Sequence, residues 1–234
     1  MAQSGGFKHG TWEDLFAHIA LGDYATEYAV GETLPFKIGN YDYEAQIAGF
    51  DKDTISDSTD KAPVTFVCKH LYITSKRLNP GLDGTTEGTG TIGGWEKMEL
   101  RTYLSETIFP LVPDIVKNRI VSVKKYTKGY NTSGSAVNNA LSNDKLWIPS
   151  YLEVSNTGGV EIIGTQTYPL FNFGANDQPA SRRKTKPNST VNLKWWTRSA
   201  YSTKNCYAVA INGFSASTNQ VSSSQGIAIG FCIA

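Results

Sequence analysis

Cysteine, histidine and charge are all scarce in this chain of 234 residues. Its three cysteines, Cys68, Cys206 and Cys232, are too few and too scattered for a disulfide framework, and none forms the C-x-x-C pair of a zinc or redox site. Three histidines leave little for acid–base or metal chemistry. No apolar run is long enough to span a bilayer. Met1 to Ala20 carries Lys8, His9, Glu13 and Asp14 without an unbroken hydrophobic stretch, so neither a secretory signal nor a membrane anchor is expected there. Synthesis in a reducing cytoplasm is the matching expectation. With 22 Lys+Arg against 21 Asp+Glu the net charge is +1, which lacks the cationic surplus that general nucleic-acid binding or a polybasic membrane anchor requires. Charge is also unevenly spread: from Ser199 to Ala234 the sole charged residue is Lys204.

What is present reads as helices early and strands late, without βαβ alternation, and so as an α+β domain. Thr11 can cap a helix that begins at Trp12, carries Glu13 and Asp14 in its first turn, and ends near Gly22; Trp12, Leu15, Phe16 and Ile19 share its apolar face. Thr33–Ile38 and Tyr41–Phe50 flank Gly39-Asn40 as a hairpin, with Tyr41, Tyr43, Ala45 and Ile47 on one face. Strand character resumes at Lys61 through Val64, Phe66 and Cys68. A second helix is expected from Glu96 to Phe109, stopped by Pro110. Arg119 to Tyr126 and Leu146-Trp147-Ile148 read as strands, and Ser150-x-x-Glu153 as a capping box. Three strands are expected at the end, Cys206–Ile211, Phe214–Val221 and Gly226–Ile233, the first two joined by Asn212-Gly213.

The loops carry little chemistry. Asp51 to Asp57 resembles a calcium loop only briefly, because Ile55, Ser56 and Ala62 stand where a ligand, a glycine and a bidentate glutamate are needed; a solvated acidic loop is expected. The Gly81–Gly94 run reads as an extended surface loop and completes no phosphate-binding pattern. Asp177 to Thr190, with Arg182, Arg183, Lys184 and Lys186, reads as a solvated basic loop, since no aromatic interleaves its charges. Cys68 and His70 share a strand face and form the one candidate nucleophile–base pair, but no catalytic signature surrounds them and a packed thiol is the expected state. Glu96 and Glu99 are expected on a solvated helix face. No catalytic residue, no metal ligand and no cofactor is assigned.

The tail is where outward positions of a sheet carry Tyr, Ser, Thr and Asn in place of charge. These residues suit an adaptable contact surface, because Tyr offers large contact area at low entropy cost while Ser and Asn adapt their hydrogen bonds. Contact is expected from Tyr201, Thr203, Asn205, Tyr207, Asn212, Phe214, Ser215, Ser217, Asn219 and Ser223.

Four blocks carry a family resemblance. Lys194-Trp195-Trp196-Thr197-Arg198-Ser199-Ala200 and the closing Gly226-Ile227-Ala228-Ile229-Gly230-Phe231-Cys232-Ile233 resemble the W-W-L-R-S-P and G-V-x-x-G-F-C-I patterns of phage and gut-bacterial proteins with a C-type-lectin fold. Gly93-Gly94-Trp95-Glu96 with Leu100-Arg101-Thr102-Tyr103-Leu104, and Lys145-Leu146-Trp147-Ile148-Pro149-Ser150-x-x-Glu153-Val154, resemble two further segments of that group. Thr197 and Ala200 depart from its pattern. The resemblance implies a single C-type-lectin-like domain with two main helices and short antiparallel sheets. In it residues 1–60 form an N-terminal helix and hairpin, 61–198 a scaffold, and 199–234 a variable ligand-binding region.

Several relatives are variable proteins diversified by retroelements through adenine-directed mutagenesis. Mutation of AAY codons at adenine cannot produce Lys or Gln, so Lys204, Gln220 and Gln225 would be fixed positions. The implied function is ligand display on a virion surface, binding a host surface protein or glycan, with a homo-oligomer or a virion component as further partners, and with neither nucleic-acid binding nor membrane insertion. An invariant phage structural module is one alternative. A formylglycine-generating-enzyme-like oxidase is another, which would need Cys206 and Cys232 as a reactive pair. The calcium-binding E-P-N, Q-P-D and W-N-D signatures of C-type lectins are missing, and Trp196-Thr197-Arg198 replaces the last.

Overall fold

The computed structural model describes residues 8–81, 88–156, 166–174 and 176–234. Helix α1 (Trp12–Leu21) starts where the Thr11 side chain accepts from the Asp14 amide, and stops at Gly22, whose φ of 79° lets its N–H reach back to the His18 and Ile19 carbonyls. Trp12 and Leu15 point into the core. A single turn, α2 (Tyr24–Glu27), leads to Tyr28, which is buried and donates to Asp14 at 2.7 Å. His9 stacks on the Tyr28 ring, with centroids 4.5 Å apart.

Strands β1 (Thr33–Ile38) and β2 (Tyr41–Phe50) pair antiparallel with the limits the sequence predicts. Tyr43, Ala45 and Ile47 are buried, while Tyr41, at the turn, stays exposed. Strand β3 (Val64–Cys68) is buried on both faces. The second helical region opens with a 3-10 turn, Trp95–Lys97, and becomes α3 (Glu99–Tyr103); it runs on through a π turn at Leu104–Ile108 and a 3-10 turn at Phe109–Leu111. Pro110 therefore does not stop it: proline sits at the start of a new turn, where its missing N–H costs no bond. The short helix α4 (Asp114–Lys117) precedes β4 (Ile120–Val121).

The expected strand from Arg119 to Tyr126 is two strands in different sheets. It breaks at Ser122, whose carbonyl accepts from the Ser56 amide; β5 (Val123–Tyr130) then pairs with β6 (Ala136–Asp144), which the sequence reading missed. Leu146-Trp147-Ile148 is buried but makes only an isolated bridge, Trp147 to Gly230. Helix α5 (Tyr151–Val154) opens with the predicted Ser150/Glu153 capping box. The motif Trp195–Ala200 is itself a strand, β7, and β8 (Asn205–Val209), β9 (Ser217–Gln220) and β10 (Gly230–Ile233) are shorter than the expected strands.

The architecture is mixed α+β with antiparallel sheets. Five strands run in the order β1-β2-β3-β10-β4, β5 and β6 form a two-stranded ribbon, and β7-β8-β9 form a third sheet. The C-terminal strand thus lies inside the large sheet, between β3 and β4, and one hydrophobic cluster extends from Trp12 to Ile233. No helix among the described residues is long and apolar enough to cross a membrane.

Three loops differ from expectation, two of them because polar groups reach inward to partners and the third through a close backbone approach. Asp53, in the expected solvated acidic loop, is buried and accepts from Thr65 at 2.8 Å and from Lys125 at 2.5 Å. In the basic loop Arg182 and Lys184 are buried. Arg182 donates to the Gly174 carbonyl at 2.9 Å, and Lys184 to the Cys68 carbonyl at 2.6 Å, with burial drawing its amine down to about 8. In the glycine-rich run, Thr91 and Ile92 are buried because Gly94 packs directly against Gly129 of β5, a contact that leaves no room for a side chain at residue 129. Residues 82–87 of that run lie outside the described residues.

Candidate functional site

The tail is carried by β7, and β7 is held by its own motif. Trp195 donates from its indole to the Arg182 carbonyl at 2.9 Å, and Trp196 to the Lys76 carbonyl at 3.0 Å; both rings are fully buried. Arg198 forks onto the Glu153 carboxylate with bonds of 2.6 and 2.7 Å, and also reaches Thr127 Oγ1 at 3.0 Å and the Ile148 carbonyl at 2.8 Å. Glu153 is shared with Lys125 at 3.2 Å, and Lys125 continues to Asp53, to Tyr168 Oη at 2.6 Å, and to the Trp147 ring face at 3.4 Å. Burial pushes the Glu153 carboxyl up, but Arg198 and Lys125 together outweigh it and bring it down to about 2. Tyr168 is raised well above its ordinary value, by burial first and then by the carboxylates of Asp53 and Glu153. Two cations and two anions thus close a buried network that joins β5, α5, β7 and the loop before β3.

Beyond β7 the chain turns through residues 201–204 into β8. The turn is fastened mainly through its backbone carbonyls, with Ser202 Oγ accepting from the Lys204 and Asn205 amides. Tyr130 Oη donates to the Tyr201 carbonyl at 2.8 Å, Thr91 Oγ1 to the Ser202 carbonyl at 2.8 Å, and the Thr91 amide to the Thr203 carbonyl at 2.9 Å. The amides of Tyr201 and Ser202 both donate to the Asn205 carbonyl. An aromatic series leads outward from the interior: buried Tyr151 stacks on half-buried Tyr207 at 4.3 Å, and Tyr207 meets the edge of Tyr201 at 5.4 Å. Tyr201 is 51% exposed.

The ten expected contact residues do not form one patch. Tyr201, Thr203, Asn205 and Tyr207 gather at the end of the sheet next to Thr91 and Tyr130. Directly paired residues share a sheet face, so the pairs Asn205–Gln220 and Tyr207–Thr218 define one face, while Cys206–Asn219 and Ala208–Ser217 define the other. Ser217 and Asn219 therefore lie opposite Asn205 and Tyr207, and Asn219 Oδ1 lies 3.4 Å from Lys194 Nζ. Ser215 is fully buried and cannot contact a ligand; this corrects its assignment. Asn212 and Phe214 flank the Gly213 turn beyond the far end of β8, whose five residues span about 13 Å, and Gly213 packs there against the Pro179 carbonyl. The expected Asn212-Gly213 turn is present, with the Ala210 amide donating to the Phe214 carbonyl at 2.8 Å. Ser223 is half-buried in the turn after Gln220.

Residues that sequence reasoning missed complete the surface. The hairpin tip between β5 and β6 lies beside the 201–204 turn. Together with Ile92 and Gly93 its residues Tyr130, Asn131, Thr132, Val137 and Ala140 line a cleft of about 250 Å³. Tyr130 belongs to both, its ring lining the cleft and its hydroxyl holding the turn. The sequence marks this hairpin only weakly: Gly129 to Asn143 carries no charged residue, but Ile162 to Asn176 is an uncharged run of the same length.

The three cysteines are buried and none forms a disulfide. Burial pushes the Cys68 thiol up to about 12, and Cys232 is raised well above its ordinary value by burial and then by Asp53. His70 does not reach Cys68; its ring bonds Thr185 Oγ1 at 3.1 Å and lies 3.4 Å from Glu44. Among the described residues no group of three or more His, Cys, Asp or Glu side chains is placed to hold a metal ion.

A family model described as a domain of unknown function (DUF6273) matches residues 71–234, a span that includes all four motif blocks. No curated protein and no solved structure matches the chain. The chain belongs to the DUF6273 family.

Proposed function

We propose that this DUF6273 member is a ligand-binding display protein of C-type-lectin type, phage-encoded and presented on a virion surface. It contacts a host surface protein or glycan through the end of the tail that carries Tyr201, Thr203, Asn205 and Tyr207. One observation carries the reading: the 201–204 turn is fastened through the carbonyls of Tyr201, Ser202 and Thr203 by Thr91 and Tyr130, residues outside the tail. A carbonyl is the same whatever side chain its residue bears, so this turn keeps its path while the side chains of Tyr201, Thr203 and Asn205 change; Ser202 is the exception, because its Oγ accepts from the amides of Lys204 and Asn205. A surface that must vary without refolding needs that separation. The motif blocks support the same reading, since Trp195, Trp196 and Arg198 are all buried and hold the platform from which the turn projects.

The test is the neighbouring DNA and the sequences of sibling proteins. The expected result is a near-copy of the tail-coding segment beside a reverse transcriptase, with adenine-only mismatches that alter the codons of Tyr201, Thr203, Asn205 or Tyr207. Siblings whose tails are constant at these four positions would overturn the diversified reading in favour of an invariant structural module.

A further inference from the structure

We infer that the cleft between the basic loop and strand β2 binds the tetrahedral oxyanion of a phosphate or sulfate ester. The inference goes beyond the reading of the tail and does not depend on it. The cleft, of about 300 Å³, is lined by Gln46, Lys69, Ala180, Ser181, Arg183 and Lys184, three cations and no carboxylate. The basic loop brings no acid of its own, because no Asp or Glu follows Asp177 in the chain.

Three of these side chains have hydrogen-bonding capacity to spare. Lys184 is 2% exposed and forms no ion pair among the described residues. Its ammonium donates to the carbonyls of Cys68 at 2.6 Å and Lys69 at 3.3 Å, which leaves one of its three N–H groups without an acceptor. A buried ammonium met only by carbonyls is a charge without a counter-ion, and burial draws its amine down accordingly. Ser181 Oγ is buried and makes no hydrogen bond. Arg183 is exposed and, among the described residues, pairs with no carboxylate; its stem lies beside Gly213. The remaining cation is already balanced. Lys69 Nζ lies 2.8 Å from Glu44, which stands two residues before Gln46 on the same face of β2 and also meets His70 at 3.4 Å and the Thr33 hydroxyl at 3.1 Å. Lys69 and Glu44 therefore cancel, and Lys184 and Arg183 keep their charge uncompensated.

These unmet groups select the occupant. A cation would be repelled, and a neutral sugar hydroxyl would accept hydrogen bonds but leave both charges unbalanced. A tetrahedral oxyanion carries charge and enough oxygens to meet an ammonium, a hydroxyl and a guanidinium at once, the guanidinium bidentately. The volume matches the lower end of small-molecule sites, which gives room for the anion and the first atoms of its carrier.

NMR titrations of the full chain at constant ionic strength test this. Inorganic sulfate should shift the Gln46 side-chain amide, the Ala180 methyl and the Ser181 backbone amide, and the shifts should saturate. Arg183→Gln should weaken that binding about tenfold or more, as loss of a charge-assisted hydrogen bond implies, and Ser181→Ala should weaken it severalfold. Lys204→Gln removes the same charge from the tail and should leave the binding unchanged. Tighter binding of glycerol 3-phosphate than of sulfate would assign a phosphate ester, and tighter binding of galactose 6-sulfate a sulfate ester. Shifts that rise without saturating would overturn the inference, as would sulfate binding unaltered in both Arg183→Gln and Ser181→Ala, or failure of both esters to move these signals. Sibling tail sequences bear on the proposed function alone, so the two readings fail separately.

Discussion

Arg198 and Lys125 bring two cations into the interior, where Glu153 and Asp53 balance them. Such a network gains little over an apolar core of the same shape, but breaking it leaves a buried charge without its partner. Arg198→Met is expected to cost about 3–5 kcal/mol in urea unfolding, because Glu153 would keep Lys125 as its one cationic partner. The pH dependence follows from the carboxyl held at about 2 against its ordinary 4.5. A folded-state value below the unfolded one means that the stabilisation is fully present above about pH 4.5 and is lost as pH falls toward 2. Urea midpoints measured across that window should fall, and Glu153→Gln should remove the part of the slope that Glu153 contributes. Half of this network was legible beforehand. Arg198 and Glu153 sit in motif blocks, whereas Asp53 lies in a run of acids and Lys125 in a Lys-Lys pair, patterns that a solvated surface produces equally well. Their burial comes from the path of the loop before β3 across Thr65 and Cys232, a tertiary fact with no local trace.

At the scale of elements, the sheet β7-β8-β9 ties the contact surface to the core through the two tryptophans of β7. Trp196 is fully buried, and its indole N–H supplies the Lys76 carbonyl. Trp196→Ala removes the ring and that hydrogen bond together, and should cost about 3–5 kcal/mol in denaturant midpoint experiments. A loss below about 1 kcal/mol would show that β7 is not the platform described above. The hairpin of β1 and β2 was readable to its ends because Gly39-Asn40 marks its turn and buried residues alternate along it. Strand β6 was not, because Ala136–Asp144 is rich in Asn and Ser and depends on β5 for its conformation. The faces of β8 and β9 were unreadable for another reason. Their relative register is set by the seven-residue connection from Ala210 to Ala216, and a shift of one residue exchanges every side chain between faces, which separated Ser217 and Asn219 from Tyr207.

For the whole molecule, the near-absence of charge after Arg198, where Lys204 stands alone, has two causes that composition alone merges. From Gly226 to Ile233 the residues are buried, with β10 enclosed between β3 and β4, and a charge there would be desolvated without a partner. From Tyr201 to Gln225 most residues are exposed or half-buried, and nothing in their packing forbids charge. The first absence belongs to folding and the second to the contact surface. A scan of single substitutions across 199–234, scored by resistance to a protease that cleaves only unfolded chains, separates them. Substitutions at Tyr201, Thr203, Lys204 and Asn205 should change stability by no more than about 0.5 kcal/mol, since the turn is held by its carbonyls. Asp or Lys at Ile227, Ile229, Phe231 or Ile233, and Tyr at buried Ser215, should cost several times as much. Uniform sensitivity along the whole tail would mean that its uncharged surface is itself part of the folding core, and that a constant structural role rather than a variable contact role explains its composition.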